Sequence, residues 1–166
     1  MSVDENTSYR SSSLGRWLVV VAIGLGVLAA AVWPAWRQAI SDQPRADPDS
    51  AAQVALGETV YQENCAACHG AALEGQPNWQ SRLPDGTMPA PPHDDSGHTW
   101  HHPDQQLFDY TKLGGAAVVP APFKSAMPGF AESLSDEEIW AVLAFIKSRW
   151  SPRAREVQEQ RSLQQQ

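Results

Sequence analysis

The chain has 166 residues, room for one ordinary domain plus appendages, and a formal net charge of -7. That balance argues against a phosphate-binding surface of clustered Lys and Arg, so nucleic acid is not an expected partner, and it argues against adhesion to anionic headgroups. The acidity belongs to residues 50–150, where twelve Asp/Glu stand against five Lys/Arg, while the flanking segments nearly cancel.

Residues 1–16 are polar and Ser-rich, carry Arg10 and Arg16, and read as a short cytoplasmic segment. Trp17 to Trp36, "WLVVVAIGLGVLAAAVWPAW", contains no charged residue. At about 1.5 Å per residue it reaches about 30 Å, the thickness of a bilayer core. Trp17 marks one end, and Trp33 and Trp36 mark the other, where indoles favour the membrane interface. The run is expected to be an uncleaved transmembrane anchor. A cleaved signal peptide competes with this reading, because Ala29 and Ala31 resemble a cleavage site. On either reading the following domain is exported. The expected location is the bacterial inner membrane, single-pass, with the domain facing the periplasm.

Residues 37–49 hold prolines, aspartates and little apolar content, and read as an extended linker. The domain is expected over 50–150. Ser50 can cap a helix running to Cys65, in which Val54, Gly57, Tyr61 and Cys65 recur near helical spacing. Gly70 to about Trp100 is rich in breakers and predicts loop. A short helix follows Pro103 and stops at Gly114; "VVPAPFKSAMPGF" is loop again. Ser135 and Glu138 form a capping box for a last helix whose apolar stripe is Ile139, Val142, Leu143 and Ile146. Pro152 should terminate or kink it, and the Gln-rich tail 151–166 should be disordered. No strand alternation of useful length occurs. The domain is therefore expected to be all-α with long loops.

Chemistry concentrates in "NCAACHG", Asn64 to Gly70, which holds both cysteines of the chain. A thioredoxin-like pair would need strands, and a structural zinc site would need a second ligand pair. Covalent haem attachment needs this motif alone: Cys65 and Cys68 form thioethers with the haem vinyl groups, and His69 reaches the iron. A plain disulfide between the cysteines leaves His69 without a role. "GETVYQENCAACHG", "AMPGF" and "LSDEEIWAVLAFIKS", in that order, resemble a class I (monohaem) cytochrome c over about residues 50–150. The resemblance implies one covalently bound haem c and a crossing of the first and last helices at Gly57, where Tyr61 and Phe145 pack. It also implies Met127, which precedes Pro128, as the second axial ligand of the haem iron opposite His69. Met88 also precedes a proline and is a rival. So are the loop histidines and a five-coordinate iron.

The loop "PPHDDSGHTWHHPD" departs from a minimal cytochrome c. His93, His98, His101 and His102, beside Asp94 and Asp95, offer donors suited to Cu(II), Zn(II) or Ni(II) as a secondary metal site. The competing expectation is an acidic surface loop in which Trp100 packs on the haem edge and the histidines bond backbone or haem propionates.

The functional expectation is one-electron transfer, without enzymatic turnover, by a membrane-anchored cytochrome. Its expected partners are a quinol-oxidising complex or dehydrogenase as donor and a terminal oxidase as acceptor. The acidic domain predicts partner surfaces rich in Lys and Arg. The alternatives are a copper-handling haem protein using His93 to His102, a subunit of a larger oxidoreductase complex, and a haem enzyme or gas sensor with an open iron position.

Overall fold

The computed structural model describes residues 45–164, in which the regular structure is helical apart from one isolated bridge between Thr87 and Lys124. The expected anchor over 17–36 lies outside the described residues, as does most of the linker. Among the described residues no helix is long and apolar enough to cross a membrane.

Helix α1 spans Ala51–Asn64 and starts where expected, with the Ser50 hydroxyl accepting from the Gln53 N–H. The single turn α2, Ala66–His69, follows directly. Thr99–His101 forms one 3₁₀ turn, α3 spans Asp104–Leu113, and the turn α4 covers Gly115–Val118. Helix α5 spans Asp136–Ser148 and carries the complete capping box: the Ser135 hydroxyl accepts from the Glu138 N–H, and the Glu138 carboxylate accepts from the Ser135 N–H. The Ser135 N–H and hydroxyl, both donating to the Glu138 carboxylate at 2.8 Å, hold that carboxyl below the usual range.

Every residue of α5 from Ile139 to Lys147 is buried, so this helix is the axis of the core rather than an amphipathic face. It packs on α1 at Gly57. A Cβ built there would fall on the Ala141 carbonyl oxygen, so only glycine permits this approach. One turn on, the Tyr61 and Phe145 rings meet at 5.3 Å. Tyr61 is fully buried, and burial pushes its phenol far up, which keeps the hydroxyl protonated; it donates a hydrogen bond to the Gly70 carbonyl at 2.8 Å. The crossing that the resemblance implied is present, and through Gly70 it is wired to the end of the cysteine motif.

The tail corrects the sequence reading. Instead of disorder, Pro152–Leu163 forms helix α6, with Ser151 as N-cap and Pro152 in its first turn. Pro152 therefore opens a helix, and α5 has already ended before it. Arg155 donates to the Lys147 and Ser148 carbonyls at 3.0 and 2.8 Å, satisfying orphan acceptors at the end of α5. Gln158, fully buried, donates to the Asp104 carboxylate at 2.6 Å. Asp104 in turn pairs with Lys147 at 2.8 Å, both side chains being largely buried. Polar bonds, in place of an apolar stripe, dock α6.

Candidate cofactor site

The last turn of α1 runs into α2, so Cys65 and Cys68 sit one helical turn apart, with the Cys68 and His69 N–H groups both donating to the Cys65 carbonyl. The thiols are not joined to each other. Burial, and Cys68 beside it, push the Cys65 thiol up to about 11, so it remains a neutral S–H at neutral pH and a poor partner for disulfide exchange.

His69 is buried, and its Nδ1 lies 2.9 Å from the Pro91 carbonyl oxygen. A carbonyl only accepts, so Nδ1 carries the proton and the Nε2 lone pair is free for a metal. Burial lowers the His69 pKa despite that bond, which favours the neutral ligand form. The motif is then turned back on itself. Gly70, at φ +82°, reverses the chain, and the Gly75 N–H donates to the His69 carbonyl at 2.8 Å.

A cavity of about 720 Å³ opens beside these groups. Cys65, Cys68 and His69 line it together with Val142, Leu143 and Ile146 of α5 and with Met127. Its size lies within the roughly 300–1,000 Å³ of cofactor pockets. Two thiols on one turn, a neutral imidazole with a free Nε2 and a largely apolar wall fit a covalently held haem. The loop bearing Met127 is anchored at both ends. The Met127 N–H donates to the Ser125 hydroxyl at 3.2 Å, Gly115 N–H donates to the Met127 carbonyl at 3.1 Å, and Tyr110 donates to Ser125 at 3.0 Å. Gly114 and Gly129 let the backbones of α3 and this loop touch; a Cβ on Gly114 would lie 2.6 Å from the Gly129 nitrogen. Met88 lines the same cavity.

The histidine loop does not gather into a metal centre. Among the described residues no group of three His, Cys, Asp or Glu side chains is placed to hold a metal ion, so the secondary site weighed at His93, His98, His101 and His102 finds no support in the geometry. Each ring finds a different partner. His93 stacks on His69, His98 lies flat on Trp79 at 5.4 Å, and His101 stacks on Trp100 at 3.7 Å; His102 meets His98 edge-on. His93, His98 and His102 line the cavity, whereas His101 and Trp100 are not among its lining residues. The nearby carboxylates are also engaged: Asp94 accepts from Ser96, and Asp95 accepts from the Ser151 N–H that precedes α6. Sequence reasoning missed Pro91 and Trp79. Pro91 had a readable signal, since Pro-Pro presents two carbonyls on a stiff backbone; Trp79 had none.

The fold and this cavity define a c-type cytochrome. The chain belongs to the Cytochrome c family, whose model matches residues 54–150. It is 32% identical over 102 residues to the chloroplastic cytochrome c6 of Chlamydomonas reinhardtii, covering 58% of this chain and 55% of that protein. It is 49% identical over 39 residues to cytochrome c-555 of Prosthecochloris aestuarii, covering 20% of this chain and 39% of that protein. The chain thus spans about half or less of the curated relatives it matches. No solved structure matches it significantly. Family membership makes the cofactor a covalently bound haem c, for which Cys65 and Cys68 fit the attachment positions.

Proposed function

We propose that the protein is a membrane-anchored periplasmic cytochrome that passes single electrons between respiratory partners, with His69 and Met127 as the axial ligands of its haem. The observation that carries this reading is the shared cavity: a neutral imidazole with its Nε2 free and a thioether on an anchored loop line the same apolar chamber. Haem supplies a one-electron Fe(III)/Fe(II) couple there. The protein's part is to keep both ligands in place in either oxidation state, so that little rearranges on electron transfer, and to leave no open position for substrate. Met127 is preferred to Met88 because its main chain is tied to Ser125 and Gly115. The donor is proposed to be a quinol-oxidising complex or dehydrogenase and the acceptor a terminal oxidase, with residues 17–36 holding the domain near both. A tether raises the effective concentration of the domain at membrane-bound partners without any new contact.

The test is a pair of substitutions and one extraction. Met127→Ala should abolish the methionine-to-Fe(III) charge-transfer band and lower the reduction potential, while Met88→Ala leaves both near wild type; the reverse result assigns the ligand to Met88. The full-length protein should stay with membranes through salt and carbonate washes, because burial of about 20 apolar residues is not an ionic attachment. A mature chain beginning near Val32 would show a cleaved leader instead.

A further inference from the structure

We infer that His93 is a positioning residue, whose ring holds the plane of the His69 imidazole. The two rings stack with centroids 4.1 Å apart and planes 21° from parallel. The inference rests on His69 being the axial ligand, and it adds a second restraint to the Pro91 bond. Rotation of an imidazole about its Cβ–Cγ bond is a broad, roughly two-fold torsion. A hydrogen bond at Nδ1 fixes the direction of one ring atom and still lets the ring rock; a flat surface against its face removes that freedom.

Both restraints come from one tripeptide, Pro91–Pro92–His93, and that tripeptide is itself held from several sides. The two prolines fix their own φ angles. Gly75 and Gly97 close on Pro92 so tightly that a Cβ on either would strike its backbone. The His93 N–H donates to the Leu73 carbonyl at 2.8 Å, and the His93 carbonyl accepts from Trp150 Nε1 at 2.7 Å. The ring is anchored too: His93 Nδ1 lies 2.8 Å from the hydroxyl of Thr99, a buried residue in the 3₁₀ turn. An aliphatic side chain would fill this space at lower desolvation cost, but without a plane.

The orientation of an axial imidazole plane decides how unpaired spin in low-spin Fe(III) is shared among the pyrroles. The order and spread of the four haem methyl proton resonances therefore report it. The experiment is proton NMR of the oxidised full-length holoprotein in detergent, wild type against His93→Leu, His93→Phe and Thr99→Val. His93→Leu should reorder the methyl resonances or collapse their spread, and His93→Phe, which keeps a flat face, should restore the wild-type order. Thr99→Val frees the ring without removing it, and should move the pattern in the same direction by less. A wild-type pattern in His93→Leu, even with a lowered melting temperature, would overturn the positioning role. Should His93→Leu fail to fold, an unchanged pattern in Thr99→Val overturns it equally. Wild-type protein from which acidified organic solvent extracts all the haem would overturn the cytochrome reading, and this inference with it; covalent haem with insensitive variants overturns the positioning role alone.

Discussion

Gly57 shows how much can hang on one missing methyl group. Its side of α1 touches the Ala141 carbonyl, a backbone atom that cannot rotate away as a side chain could. Gly57→Val should therefore lower the unfolding free energy of the holoprotein by about 1–3 kcal/mol, the usual cost of overpacking, read from the urea midpoint. An unchanged midpoint would mean the helices do not rely on this approach. The histidines make a second prediction. His93, His98 and His102 all have pKa values lowered from the ordinary 6.5, with burial as the leading cause. The unfolded chain then binds more protons than the folded one below pH 6.5, so stability rises with pH up to that value and is lost as pH falls beneath it. Urea midpoints should drop between pH 7 and pH 5, above the range in which carboxylates titrate; a midpoint that holds or rises would refute the burial of these rings. The residue-level chemistry was legible where it is local. Cys65, Cys68 and His69 lie within one turn, whereas the roles of Pro91 and Thr99 depend on chain reversals at Gly70 and Gly75 that spacing does not encode.

Elements divided along a similar line. Helices α1, α3 and α5 were readable because caps, stop glycines and apolar recurrence are written in consecutive residues. Helix α6 was not, because its sequence carries no stripe and what holds it is long-range: Arg155 on the end of α5, and Gln158 on Asp104. Its start signal, Ser151 followed by Pro152, was present and was misread as a stop. The ion pair Lys147–Asp104 under α6 offers a measurable contrast. Its side chains are only 10% and 13% exposed, against 33% and 59% for Lys112–Asp136. Asp104→Ala strands a buried ammonium and removes the shortest of the three hydrogen bonds that Gln158 donates, and should cost about 3–5 kcal/mol. Asp136→Ala breaks a screened surface pair and should cost about 0–1 kcal/mol. Equal losses in a denaturation series would show that α6 does not seal that pair from water.

At the scale of the molecule, charge and connectivity matter most. Residues 50–150 carry the whole net charge of the chain, and attraction between exposed charges is screened over about 8 Å at physiological salt. Small cationic oxidants should therefore react faster with the reduced holoprotein than anionic ones of equal driving force, and the advantage should shrink as salt rises. Arg82, lying over the Phe123 ring, and Lys124, on the cavity wall, oppose this locally, so neutralising both should widen the gap. Equal rates at low salt would place the acidity away from the cofactor edge and leave it a matter of solubility.

The arrangement of the cavity also separates two things that are easily run together, possession of the cofactor and grip on it. The attachment atoms lie within Cys65 to His69, five consecutive residues, while the walls come from distant stretches of chain: the loop around Met88, the Met127 loop and the middle of α5. The first two of those stretches are buttoned together, Thr87 bridging to Lys124 and the Lys124 ammonium donating to the Asp85 carbonyl at 3.2 Å. The residues that would form the bonds are thus local in the sequence, whereas closure of the walls needs the finished fold. A destabilised variant such as Gly57→Val would keep a full complement of haem while a larger share of its chains, at equilibrium, no longer wraps it. In such a protein the haem stain would register only that synthesis had occurred, and the axial-ligand spectrum alone would tell whether the haem had been housed.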